Sequence, residues 1–277
     1  MTTVATTALT KTRTKNKPNE LLVRSFIQLI AVLVFFSVWQ LGVSLGWISA
    51  FMVGSPVDIA HVMAKGVMSG DLLTDTGYTL IEAMLGFVIG TVMGSAIGLG
   101  LWYSPFLARI TEPFLIAINS VPKIAFGPIV ILWFGTGLVS KVALAVSLTA
   151  IVALIAAYQA AKNADPDLHA LLITLGASKT QVFKNLVVPS SLPAIIATFH
   201  INIGFGLVGA VVGEFISSEH GLGHMIFTAS GLYDLNSVWA GLFTLMIVGF
   251  ILYFVIEAIE SRLLPWKEPM AGNSLRV

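Results

Sequence analysis

The sequence predicts an all-α integral membrane protein of about six transmembrane helices, and three observations carry that prediction. Of its 277 residues, 56% are hydrophobic and only 10% charged, and the mean hydropathy is +0.91. Several apolar runs reach about 20 residues, enough to cross a hydrocarbon core about 30 Å thick. Lysine and arginine gather on alternate connections, as a fixed orientation in a bilayer requires.

Residues 1–24 are polar, rich in threonine and basic, with Lys11, Arg13, Lys15, Lys17 and Arg24. They read as a disordered cytoplasmic tail that fixes topology. The apolar run Ser25–Leu45 is too long for a signal-peptide core and fits a retained span. Spans are expected at 25–45, 83–103, 114–134, 142–161, 194–213 and 238–258, giving a membrane domain over 25–266 and a cytoplasmic tail at 267–277. With the N-terminus inside, the cytoplasmic side also holds Arg109, Lys162, Lys179, Lys184, Arg262, Lys267 and Arg276, whereas the outer loops hold only Lys65 and Lys141. Both termini are therefore expected in the cytoplasm. The first outer loop, 46–82, has the apolar spacing of one surface helix starting near Pro56. No duplication is evident, and an unduplicated unit of this kind needs a second copy to enclose a pathway, so a homodimer is expected.

The net charge of +1 gives no reason to expect nucleic acid as a partner. With no cysteine, disulfides, iron–sulfur clusters and cysteine–zinc sites are excluded. Phosphate-loop and HExxH patterns are missing, and the GxSxG match GVSLG at 42–46 closes an apolar span rather than forming a nucleophile elbow, so neither ATP hydrolysis by that route nor another enzymatic activity is expected of this chain. His220 and His224 in HGLGH have i,i+4 spacing, but the glycines favour a turn and a third ligand is missing, so no metal is expected.

Within the spans, Gly86, Gly90, Gly94 and Gly98 recur every four residues and form one helix ridge. Such a ridge serves close helix packing or, alternatively, lines a groove; packing is the commoner use. The run SVPKIAFGPIVILWFG places Pro122, Lys123, Gly127 and Pro128 together, so the third span is expected to be broken. Lys123 then lies either in mid-span, facing protein or water, or at the interface where a re-entrant segment begins. His200, Asn202 and Glu214 are the other intramembrane polar groups, and with Lys123 they are the candidates for a substrate pathway.

The longest cytoplasmic loop, 163–190, carries the most specific local signals. Asp165 is a helix cap followed by Pro166, and Leu168, Leu171, Leu172 and Leu175 make one apolar stripe. Gly176 stops this helix, and Ser178 with Gln181 forms the capping box of a second one. Val182, Phe183, Leu186 and Val187 form its apolar face, Lys179 and Lys184 its polar side, and Pro189 and Pro193 are expected to end it. Such a two-helix knob either packs on its own bundle or docks into a groove of another subunit.

The knob resembles the cytoplasmic loop signature of permease subunits of binding-protein-dependent ABC importers. That signature reads Glu-Ala-Ala, three residues, Gly, nine residues, Ile, any residue, Leu-Pro. It falls here on Ala170, Leu171 and Leu172, then Gly176, Leu186, and Val188-Pro189. The glutamate is replaced by Ala170. The likeness extends over residues 50–266: VPKIAFGPIVILWFGTGLVSK, SSEHGLGHMIFTA and SRLLPW are similar to segments of the nitrate/sulfonate/taurine branch.

The resemblance implies a type I importer permease fold in a bacterial inner membrane. It implies two cytoplasmic ATPase subunits, which bind the ATP and Mg, and a periplasmic or lipid-anchored solute-binding protein. Ala170, Leu171, Leu172, Gly176, Ala177, Ser178, Phe183, Leu186 and Pro189 would form the ATPase-coupling surface. The cargo would be a small anion or, alternatively, a neutral vitamin precursor, moved by alternating access. Two rival readings are an ATP-independent transporter or channel, and a membrane scaffold.

Overall fold

The computed structural model describes residues 18–264; the tail up to residue 17 and the segment 267–277 lie outside them. Among the described residues every regular element is helical. Five helices are long and apolar enough to cross a membrane, or six if one sharply bent pair counts as a span. The chain divides into two units, residues 1–57 and 58–277.

The first unit contains α1 (Pro18–Ser44) and the short α2 (Ala50–Val53). Helix α1 begins at Pro18, inside the stretch 1–24 expected to lack structure, because proline is at home in a first turn. Gln40 Oε1 accepts from Ser55 Oγ and from the Val57 amide, both at 3.2 Å, tying the chain beyond α2 to the last turns of α1.

The second unit, from residue 58, takes in all but the first two residues of α3 (Pro56–Ser69), the surface helix that the sequence predicts. Its core is a triad of helices: α4 (Asp71–Leu101), α7 (Leu138–Lys162) and α11 (Phe199–Ile216). The glycine ridge is a packing device. A Cβ added at Gly86 would collide with Ala145, at Gly90 with Thr149 Oγ1, at Gly94 with the Ala150 carbonyl and at Gly98 with the Leu154 carbonyl. Backbone contact this close lets Thr149 Oγ1 donate across the seam to Gly86 O at 3.0 Å. Phe87, Ile203, Val248, Leu252 and Ile256 then bury α13 (Leu235–Leu263) against α4 and α11. Gly90→Val is expected to lower stability by about 1–3 kcal/mol, because it has backbone atoms behind it that cannot yield. Gly100→Ala, with open space around it, is expected to leave the melting temperature of the detergent-solubilised protein unchanged.

Three expectations need correction, the start of the second span, the proline stop and the start of the fifth span, while the break in the third holds. The second span starts at Asp71 rather than 83, because its buried face runs on outward through Ala83, Glu82, Thr79 and Leu72. The polar residues that read as loop are therefore helical. The third span is indeed broken, into α5 (Pro105–Ser120) and a second arm, a 3-10 turn at Lys123–Phe126 running into α6 (Gly127–Phe134), bent by 87°. Val121, held extended ahead of Pro122, makes the elbow. Finally, Pro189 and Pro193 do not end the second loop helix. It runs from α9 (Lys179–Val182) through a π turn at Phe183–Val187 into α10 (Val188–Ala197). The wider turn lies just ahead of the prolines, and Pro189 falls in a first turn, where no hydrogen bond is lost. The break comes at Thr198, so α11 starts later than residue 194. The segment between α11 and α13 also carries a helix that the sequence did not signal, α12 (Leu222–Gly231).

Candidate functional site

At one end of the bundle the two-helix knob is built by local rules. The first helix, α8 (Pro166–Thr174), is capped by Asp165, whose carboxylate accepts from the amides of Asp167 (2.9 Å) and Leu168 (3.2 Å). It ends at Gly176, whose φ of +82° a side chain would resist. The Gly176 amide donates to Ile173 O and the Ala177 amide to Leu172 O, both at 2.9 Å, closing the free carbonyls of the last turn. Ser178 then opens α9 with both halves of the capping box, Ser178 N to Gln181 Oε1 at 2.7 Å and Gln181 N to Ser178 Oγ at 3.4 Å.

The two helices of the knob differ in what they do. The second is a foundation: Val182, Leu186 and Val187 are buried with Ala161 from the end of α7. Phe183 packs on Trp102 and Tyr103 beyond the end of α4, with ring centroids 5.7 and 4.6 Å away. Lys179 is exposed, as expected of the polar side, and donates to Tyr103 O at 2.6 Å while lying over both rings. The first helix keeps an open face: Leu171 is 53% and Leu175 73% exposed, and Leu168 and Ala170 are exposed beside them. Leu172, Ala177, Phe183 and Leu186 thus belong to the foundation, while Ala170 and Leu171 face outward. The knob presents an apolar stripe on a helix anchored from behind.

The opposite end holds a buried polar cluster. Lys141, at the start of α7, is 7% exposed, and its ammonium lies 3.2 Å from Glu82 Oε1 on α4 and donates to Ser218 Oγ at 2.7 Å. Glu214, at the end of α11, is 1% exposed; it accepts from Thr79 Oγ1 (2.7 Å) and from the Gly223 amide (2.6 Å). Thr79 Oγ1 accepts from the Leu222 amide and Asp75 from the Gly221 amide, both at 2.9 Å. His220 stacks on Tyr78 with centroids 4.9 Å apart. Four elements, α4, α7, α11 and the turn into α12, are locked together by charge-assisted bonds. A cavity of about 580 Å³ opens beside them, lined by Tyr78, Thr136, Lys141, Ser217, Ser218, Glu219 and His220.

The four pathway candidates are not brought together. Asn202 is buried between helices and donates to Thr91 Oγ1 at 3.0 Å. His200 Nε2 lies 2.9 Å from Glu260 Oε2 and its ring packs on Tyr253. Glu214 belongs to the cluster at the far end of the same helix. Lys123 sits half-buried at the elbow of the broken span, donating to Asn119 Oδ1 (3.3 Å) and to Asn119 O (3.4 Å). Sequence reasoning missed Glu82, Lys141 and Thr79. A signal existed, since Leu72, Thr79 and Gly86 lie seven apart, but hydropathy outweighed it.

Comparison with known proteins gives the geometry a setting. Residues 86–265 match the family described as binding-protein-dependent transport system inner membrane component. The formylaminopyrimidine transport permease protein ThiX of Halalkalibacterium halodurans is 31% identical over 80% of this chain and 90% of its own length. The aliphatic sulfonates transport permease protein SsuC of Bacillus subtilis, itself named as putative, is 28% identical over 86% and 87%. Among solved structures, a chain of the inward-facing MetNI methionine ABC transporter is similar with a TM-score of 0.61. At 18% identity it covers 73% of this chain and 98% of that one, a likeness of fold.

Proposed function

We propose that this chain, which belongs to the binding-protein-dependent transport system inner membrane components, works as half of a dimeric permease driven by separate ATPase subunits. The observation that carries the proposal is the exposed stripe of Leu168, Leu171 and Leu175 on a helix whose neighbour is buried in the bundle. An apolar helix face held rigidly from behind suits a groove on a partner, and a rigid mount passes the partner's motion to α4 and α7. Two copies enclose the pathway in a bacterial inner membrane, with the knob and both termini in the cytoplasm. ATP closes the ATPase pair, the knobs move with it, and the bundles rock between inward- and outward-facing states. ATP and Mg are held by the ATPase, and a solute-binding protein delivers cargo to the opposite face.

The chain reconstituted alone is expected to show no solute uptake. With its ATPase and binding protein, uptake and ATP turnover should rise together. Ion-gradient-driven uptake by the chain alone would overturn this reading in favour of an ATP-independent carrier.

For cargo, we propose a small organic anion of the sulfonate class, with Lys123 at the elbow as the cation that meets it. A neutral vitamin precursor is the second reading, favoured by the likeness to a formylaminopyrimidine permease. Lys123→Gln separates them. For an anion the half-saturating concentration is expected to rise about tenfold, equivalent to about 1.4 kcal/mol; for a neutral solute it should not move. Binding of candidate solutes by the partner binding protein checks the assignment independently.

A further inference from the structure

A second cavity, of about 730 Å³, opens at the knob end between the start of α5, the end of α7 and the inner side of α8. Leu101, Trp102, Pro105, Ala108, Ile173 and Val182 make its walls mostly apolar. Arg109, Lys162 and Lys179 place three cations around it, with His169 near them and Glu112 the one carboxylate. None of the three is locked in a buried ion pair. Lys162 meets Glu112 at 3.5 Å in an exposed pair, a contact worth little against solvent. Arg109 Nε only donates back to Pro105 O at 3.3 Å, and Lys179 is held by a carbonyl and ring faces. The site therefore carries uncompensated positive charge over an apolar floor.

Its height in the bilayer selects the ligand. The cavity lies where α4 and α7 leave their apolar stretches, beside Trp102, Tyr103 and Tyr158. Aromatic rings of this kind mark the headgroup level. Basic pockets between spanning helices at that level take anionic lipid headgroups. We propose that this cavity binds the phosphate of an anionic phospholipid, with Arg109 and Lys162 on the phosphate oxygens and the first acyl carbons against Trp102, Pro105 and Ile173. The volume lies within the roughly 300–1,000 Å³ range of ordinary ligand sites. A headgroup fits, and the rest of the chains stay in the bilayer. Leu168, Leu171 and Leu175 lie on a different face of α8 from His169 and Ile173, so lipid and ATPase can be bound together. The occupant would then brace the knob against α5 and α7.

The test compares the full chain in nanodiscs of phosphatidylcholine with and without phosphatidylglycerol, by thermal unfolding and by native mass spectrometry of retained lipid. Phosphatidylglycerol is expected to raise the melting temperature and to be retained at least about tenfold in preference to phosphatidylcholine. Arg109→Gln with Lys162→Gln should abolish both effects, Arg109→Lys with Lys162→Arg should keep them, and Lys65→Gln at the other end should change nothing. Equal retention of the two lipids by the wild-type chain would overturn the proposal, as would an unchanged preference in the doubly neutralised protein. Stabilisation by inorganic phosphate in phosphatidylcholine alone, matching that by the lipid, would assign the site to a free phosphate and sink the lipid reading. If lipid preference is lacking and the neutralised protein instead loses its ATPase, the cations form a protein contact and the lipid assignment is wrong.

Discussion

Leu171→Asp is expected to abolish coupled transport while leaving the isolated chain's melting temperature unchanged. The side chain is 53% exposed and contributes nothing to the buried cluster beneath the knob, so the fold loses no apolar contact. In the complex the same position would sit in a dry groove. A carboxylate there loses the leucine's burial, about 1.5–3 kcal/mol, and adds the cost of desolvating a charge. Association with the ATPase should weaken by a factor of at least about 100, or about 2.7 kcal/mol. Co-purification of the ATPase from detergent extracts, alongside thermal unfolding of the chain, reads both halves of the prediction. Val182→Asp is the contrasting control: that residue is fully buried in the foundation, so it should fail by unfolding the knob. If Leu171→Asp retains the ATPase with unchanged affinity, the stripe is not the docking face. The Glu-Ala-Ala position bears on the same surface. Ala170 is exposed where the signature has glutamate, so the proposed contact would rest on apolar fit without that charge.

What the sequence made legible follows from the range of the interactions involved. The knob was readable because its determinants are local: Asp165 caps amides two and three residues on, Ser178 and Gln181 bond each other, and Gly176 answers a demand of its own backbone. The glycine ridge and the elbow at Pro122 were readable for the same reason. Window hydropathy, by contrast, is blind to polar residues that are satisfied by distant partners. Asp75, Thr79 and Glu82 depress the average at the start of α4, and the helix was cut at 83 although its buried face continues outward. Lys141 looked like an outer-loop charge because its partner Glu82 stands on another helix. The proline stop rule failed at Pro189 because nothing in the local pattern announces a π turn at Phe183–Val187.

Lys141→Ala is expected to be the most destabilising single change at the end of the bundle opposite the knob. Glu82 and Glu214 are each 1% exposed, and Lys141 is the cation within reach, 3.2 Å from Glu82 Oε1. Removing it strands a buried carboxylate, for which about 3–5 kcal/mol is usual. It also removes the donor to Ser218 Oγ, which itself donates to His220 O, so the turn that carries His220 and Gly221 loses its anchor on α7. The contribution of the pair itself is smaller than that loss. Its attraction is offset by the desolvation of both ions, so replacing the two together is far milder than removing one. Lys141→Met combined with Glu82→Gln should therefore recover most of the stability lost in Lys141→Ala, while Glu82→Gln alone should fall between them. Thermal unfolding of wild type, Lys141→Met, Glu82→Gln and the double variant in one detergent supplies the cycle. A coupling near zero would show that Lys141 and Glu82 act independently, and that Lys141 contributes through Ser218 instead. A large coupling places the lock in the charge pair, and transport then separates its two uses. If the cluster only holds the fold, the double variant transports at the wild-type rate once folded. If it must hold the outer ends of α4, α7 and α11 together during rocking, the double variant recovers stability without recovering solute-stimulated ATP turnover.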